Sequence, residues 1–445
     1  MILKSHLTVS LLSILVALAG CGGGGGGGGG PTVATSTTTN TTSSGSGSSS
    51  TTNNSDSSSG DSDTGAETSD SSATALMLTD IANNVMVPAY QDLSTKTASL
   101  AATSGVQSYC DALGGANEAT EMDSVKALWS AASDAYAKTE VHSVGPADID
   151  GAFRYRVSSY ASAPLDKCGL DNSVTNQNEA DFDLANRPAS QRGLGAVEYL
   201  LFNADLDHNC SSNTAPAGWN DLSEASRKSQ RCEYAVELAS DIDAAADGIV
   251  DNWSADGSNY LAEFTSEGSA GEKLQELTDA IIVHMDKEAK DKKVGIPTGV
   301  KEECTSFSCP DKIERPYVKS SFDAVKANVQ GFIDVIKGGD GRGFDDLFAD
   351  EGYASTSNDM LAKAQAAIDN IEAATTTLSA QTLATNDASK QEACTNAYVS
   401  HDETYENYSG CALTGLLKDV TDILKIDFVT IVGVNLPGRV QADND

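Results

Sequence analysis

The chain is poor in positive charge: 29 Lys and Arg stand against 64 Asp and Glu, a formal net charge of −35. That balance argues against nucleic acid and anionic lipid head groups as partners, because both repel an acidic surface. Such a surface can concentrate cations, or it can aid solubility in salty surroundings. Histidine is scarce, at five residues in 445. No His-Glu-x-x-His sequence occurs, which removes the common zincin arrangement. Gly-x-Ser-x-Gly and Walker-type loops are also missing. No cysteine pair has the Cys-x-x-Cys spacing of a zinc or redox site. Strand signals are sparse, so a parallel sheet is not expected.

What is present begins with an address. Met1 to Gly20 carries Lys4 and a short apolar core through Leu11, Leu12, Ile14, Leu15, Val16 and Leu18. This is a secretory signal, too short for a membrane span, which needs about 20 apolar residues. It closes on Leu18-Ala19-Gly20-Cys21, which resembles a bacterial lipobox with Cys21 as the lipidated residue. An ordinary signal peptide with an incidental cysteine is the alternative. Gly22, rather than aspartate, follows Cys21 and favours the outer membrane by resemblance to lipoprotein sorting. Removing Lys4 with the signal leaves 28 basic and 64 acidic residues, a net charge of −36.

Residues 21–74 read as a disordered Gly/Ser/Thr linker, with unbroken glycine from Gly22 to Gly30. Such a segment cannot bury enough apolar surface to offset its chain entropy. As a random coil it reaches about 40 Å from the anchor. Residues 75–440 then form the folded body, with possible sub-bundles 75–205 and 222–440 separated by the polar stretch from Asn203 to Leu222.

If Cys21 carries lipid, eight of nine cysteines remain: Cys110, Cys168, Cys210, Cys232, Cys304, Cys309, Cys394 and Cys411. An even number in an exported chain points to disulfides. Local spacing suggests Cys304–Cys309, Cys394–Cys411, Cys210–Cys232 and Cys110–Cys168.

The body reads as all-α. Apolar residues recur at helical spacing in Val125, Leu128, Trp129, Ala132 and Tyr136, and again in Phe322, Val325, Val329, Phe332 and Ile336. Phe428 to Leu436 is β-branched and reads as extended. His284 sits on an apolar face with Glu288 four residues on and reads as a buried, hydrogen-bonded histidine. His208 and His401 fall in polar loops, and Asp443-Asn444-Asp445 reads as a solvated acidic end.

The most informative stretch is Arg192 to Phe202, RGLGAVEYLLF. It sets one carboxylate, Glu198, among Leu194, Val197 and Leu201. A buried carboxylate normally has a partner. The stretch resembles the Gly-x-His-x-x-Glu signature of the imelysin family, with Gly193 and Glu198 matching and Gly195 in place of the histidine. Other pieces follow in family order: Ala89-Tyr90; Trp129, Glu140 and Gly145-Pro146; Arg231 to Trp253; a Lys293-Val294-Gly295-Ile296-Pro297 turn; and Ser320-Ser321 with Asn328 and Gly331.

The resemblance implies two packed helical bundles, a cell-envelope location, links to iron acquisition and an assigned metallopeptidase activity. It further implies that Glu140 and His142 lie near the functional cleft, where either could supply what Gly195 lacks. Glu198, Glu140 and His142 are therefore the candidate metal ligands, for a divalent metal or iron. Structural pairing of Glu198 is the competing reading. The expected role is binding in metal or iron acquisition beside iron-transport components. A metallopeptidase and a non-catalytic structural or protein-binding lipoprotein are the alternatives.

Overall fold

The computed structural model describes residues 65–148, 153–160 and 164–441. The signal, Cys21, most of the linker and the acidic C-terminal end lie outside these residues. The described chain is helical, with no strand among the described residues. None of its helices is long and apolar enough to cross a membrane.

The principal helices are α1 (Gly65–Ile81), α2 (Val87–Ala101), α3 (Glu118–Glu140), α4 (Gly193–Phe202), α5 (Glu224–Trp253), α6 (Ala270–Val283), α7 (Ser321–Lys337), α8 (Ala354–Ala373) and α9 (Ser409–Ile423). One group packs α2 against α3 and α5, with α4 on α5. A second packs α8 against α7 and α9. Helix α7 also lies along α3 and joins the groups. Gly331 permits that crossing: a Cβ there would sit 2.3 Å from the Lys138 carbonyl oxygen. The fully buried rings of Trp129, Trp219 and Trp253 anchor one continuous apolar core.

Several expectations change. Helix α1 begins at Gly65, inside the stretch read as linker, and Ser72 donates a hydrogen bond to Glu267. Helix α5 packs on α2 and α4, so Asn203 to Leu222 is a loop within one packed group. Phe428 to Val432, the first part of the stretch read as extended, is helical. Phe428 ends a π-helical turn and Val429–Val432 continues it as helix. Phe428 packs on the rings of Phe344 and Phe348, which outweighs the β-branched preference.

Lys293 to Pro297 is helical rather than a turn, and the chain breaks at Gly299 with φ +80°. This region is unusual in itself. His284–Gly295 follows α6 as a π-helical run, with Asp286, Glu288, Lys290 and Lys293 all buried. Stretches of π-helix are rare, and frequent at functional sites.

The eight cysteines form four disulfides. Cys304–Cys309 and Cys394–Cys411 are as expected. The other two pairs exchange partners, to Cys110–Cys232 and Cys168–Cys210. The short helix Val106–Asp111 packs on α5 and brings the Cα atoms of Cys110 and Cys232 within 5.6 Å. Proximity in sequence favoured nearer partners, whereas helix packing chose one 122 residues away.

Candidate binding site

Helix α4 starts where the chain needs a left-handed residue. Gly193 has φ +76°, and a Cβ there would meet the Val157 carbonyl oxygen at 2.7 Å. Arg192, just before it, grips Asp241 of α5 through Nε at 3.0 Å and Nη2 at 2.6 Å. Arg156 holds the same carboxylate at 2.8 Å. Trp129 of α3 donates from Nε1 to the Leu194 carbonyl at 2.9 Å. These bonds fix the face of α4 that carries Gly195 and Glu198.

That face lines a cavity of about 310 Å³. Trp129, Tyr136, Tyr160 and Tyr317 supply ring surface to it. Glu198 is only 2% exposed. Its Oε1 accepts the backbone N–H groups of Tyr317 at 2.9 Å and Val318 at 2.8 Å. No hydrogen-bond donor among the described residues reaches Oε2. Burial pushes this carboxyl up to about 7, against the pull of those amides and of Arg315. The loop it holds is strained, because Arg315 and Lys319 adopt φ of +56° and +64°. Arg315 helps to hold it, donating to the Ser133 carbonyl at 2.6 Å and pairing with Asp134.

Around the cavity, Lys292 Nζ lies 5.3 Å from the Tyr160 ring centre and Lys167 Nζ 5.6 Å from that of Tyr317. Lys167 makes no ion pair among the described residues. At Gly195 the cavity is open: nothing lies within 4 Å of the position a Cβ would take.

Glu140 and His142 lie elsewhere. Glu140 is 2% exposed and its Oε2 pairs with Lys293 Nζ at 2.5 Å. Asn328 donates to the same oxygen at 3.1 Å, and Lys293 also meets Glu314 at 3.1 Å. Burial alone would raise Glu140, but Lys293, with smaller help from Arg154, holds it well below the usual carboxylate range. His142 is fully buried and accepts the Tyr90 hydroxyl at its backbone carbonyl, 2.7 Å away. Its Nδ1 lies 3.3 Å from the same hydroxyl, and burial lowers its pKa to about 4.

The donor set does not fit a resident metal. A catalytic zinc takes about three protein ligands and an open position. Glu198 offers one free oxygen, Glu140 is committed to Lys293, and His142 lines neither the Glu198 cavity nor its neighbour. Among the described residues no group of three or more His, Cys, Asp or Glu side chains is placed to hold an ion.

The motif pieces scattered through the sequence do converge, as clamps. Glu140, Lys293 and Asn328 meet in one buried cluster, Tyr90 meets His142, and Ser321 donates to the Glu314 carbonyl at 2.5 Å. Lys293 as the hub of that cluster escaped the sequence reading. A lysine beside Lys292 in a run of charges gives no sign that it, rather than its neighbours, will be buried.

Residues 86–404 match the family model for imelysin, a peptidase family. Iron-regulated protein A of Synechococcus elongatus (strain ATCC 33912 / PCC 7942 / FACHB-805) is 26% identical over 269 residues, covering 58% of this chain and 62% of that protein. The chain thus matches less than two thirds of that relative's length. An imelysin-like protein from Psychrobacter arcticum 273-4 superposes with a TM-score of 0.58 at 15% identity, over 82% of this chain and 98% of that one. A structure described as an iron-regulated protein A precursor, from Parabacteroides distasonis ATCC 8503, gives 0.52 at 16% identity, over 79% and 95%.

Proposed function

The chain belongs to the imelysin family, and from that premise we propose that it is an envelope-located binding protein that takes an iron chelate into the Glu198 cavity. The observation that carries this reading is the half-satisfied, buried Glu198 in a chamber walled by aromatic rings and bordered by Lys167. Iron is cargo here, held by its chelator. Ring faces suit a flat aryl chelator, Lys167 suits its negative charge, and a protonated Glu198 can donate through Oε2 to an oxygen. The name iron-regulated protein A on a relative supports the link to iron. The lipobox at Cys21 supports attachment to a membrane, the outer membrane by the Gly22 rule, with delivery to iron-transport components.

The family's peptidase assignment finds no support in the donor placement, because Gly195 contributes no ligand. The test follows the intrinsic tryptophan fluorescence of the folded body, to which Trp129 in the cavity wall contributes, during titration with ferric 2,3-dihydroxybenzoate, ferric citrate and uncomplexed ferric iron. Saturable quenching by the aryl chelate, weakened about tenfold by Lys167→Ala, is the expected result. Binding of uncomplexed iron alone, or of no iron form, would overturn the reading.

A further inference from the structure

A second chamber, of about 540 Å³, lies beside Glu140 and is built from residues the Glu198 cavity does not use. Its volume falls in the ~300–1,000 Å³ range of small-molecule sites. Helix α6 and the π-helical run after it supply half of its wall, including Glu276, Asp279, His284 and Glu288.

The polar atoms here are unusually idle. His284 is 2% exposed, and among the described residues neither ring nitrogen makes a hydrogen bond of good geometry, Asn328 being the polar side chain near the ring. Glu288 Oε2 is buried and makes no hydrogen bond, with Lys292 Nζ 3.8 Å away. Arg154 Nε is likewise buried and unmatched. Buried polar groups left in this state cost free energy, and native structures seldom tolerate several side by side.

The idle atoms describe what would satisfy them. Burial drops the His284 pKa to about 3, so its ring is neutral and offers one acceptor and one donor. Glu288 adds an acceptor and Arg154 a donor. Five carboxylates, Glu140, Asp148, Glu276, Asp279 and Glu288, line the chamber against two guanidiniums, Arg154 and Arg439. The excess repels anions and favours a cation. A primary ammonium carries three donors and no acceptor, matching the ring nitrogen and the Glu288 oxygen. Hydroxyl groups beside it would accept from Arg154 and from the imidazole N–H. Tyr155 and Val283 give a carbon-rich wall on which a ring's C–H face can rest. Arg439, 63% exposed, stands at the mouth and meets Glu288 Oε1 at 3.3 Å.

We propose that this chamber is a second binding site, for a hydroxylated primary amine of the amino-sugar class, held by His284, Glu288 and Arg154.

The experiment is calorimetry on the folded body at mildly acidic pH, where the amine is charged and His284 is still neutral. The probe is D-glucosamine, compared with D-glucose, which lacks the ammonium, and with N-acetylglucosamine, whose nitrogen is capped. Saturable one-to-one binding of glucosamine alone is expected. Glu288→Gln should weaken it about tenfold or more, the usual effect of losing a charge-assisted hydrogen bond. Asp279→Asn, at a half-buried carboxyl bonded by Gln275 and in no ion pair among the described residues, provides a second variant whose folding does not depend on the buried pairs. It too should weaken binding. No saturable heat from glucosamine would overturn the site, since solvent alone would then fill it. Equal binding of glucose, or unchanged affinity in both variants, would also overturn it.

Discussion

Exchanging Glu198 for glutamine keeps the oxygen that Tyr317 and Val318 donate to, while removing a charge that burial opposes. The unfolded carboxyl titrates near 4.5 and the folded one near 7. Between those values the folded chain keeps a proton that the unfolded chain has released. Stability at this group is therefore full below pH 4.5 and falls as pH rises toward 7, by about 3 kcal/mol in total. Urea unfolding at pH 5 and pH 7.5 should show that fall in the wild type and a much flatter response in Glu198→Gln. Equal slopes would refute the raised pKa.

Lys293 sits in the opposite situation, neutralising two buried carboxylates. Lys293→Met strands both Glu140 and Glu314, and should cost about 3–5 kcal/mol in the same assay. Adding Glu140→Gln to it should recover part of that loss. At position 195 the prediction is permissive. With no atom within 4 Å of a Cβ there, Gly195→His should fold with stability within about 1 kcal/mol of wild type. It places an imidazole one helical turn before Glu198. With Glu198 that makes two of the roughly three protein ligands a zinc site takes, so calorimetry should detect weak zinc binding, tighter than in the wild type, and a failure to fold would show that the room is not there. Glu198 was legible in the sequence because a lone acid in an apolar helix is conspicuous. The emptiness at Gly195 was not, because nothing in a sequence reports what faces a missing side chain.

Helices were the easy part to read, and their partners were the hard part. The periodicity through Trp129 and Tyr136 predicts α3, and the run Phe322 to Ile336 predicts α7. That Asn328 of one would donate to Glu140 of the other depends on a crossing that no local pattern encodes. The same limit exchanged two disulfides, since pairing by nearness in sequence ignores which helix lies against which. The Cys110–Cys232 bridge closes a loop of 122 residues, worth about 5 kcal/mol in the chain-entropy picture. Non-reducing peptide mapping should recover Cys110 linked to Cys232. Cys110→Ala with Cys232→Ala should lower stability by about 2–5 kcal/mol. Recovery of Cys110 joined to Cys168 would instead restore the pairing by spacing.

For the molecule as a whole, the carboxyls set a pH profile. Glu140, held below its usual range by Lys293, gives stability that is present above pH 4.5 and is lost on acidification beyond it. Glu198 gives stability that is lost as pH rises above 4.5. The buried histidines oppose Glu198: His142 and His284, whose pKa values burial lowers, give stability that is present above pH 6.5 and is lost as pH falls below it. The formal charge of −35 at neutrality adds repulsion on the alkaline side. Thermal unfolding should therefore be latest near pH 6. At pH 7 it should shift upward with added sodium chloride, which screens the repulsion. A maximum at pH 5 or below, or at pH 8 or above, would contradict this balance.

The two exchanged disulfides also bear on how the chain is made. The Cys110–Cys232 loop encloses Cys168–Cys210, so the bridges are nested rather than sequential. A chain delivered amino end first into an oxidising compartment presents Cys110 and Cys168 together before Cys232 has arrived. Cys110 can bridge Cys168 before Cys210 emerges, leaving Cys210 to close on Cys232. A chain caught in that pairing reaches the native one only by thiol–disulfide exchange, so the yield of native protein should fall when a disulfide isomerase is absent.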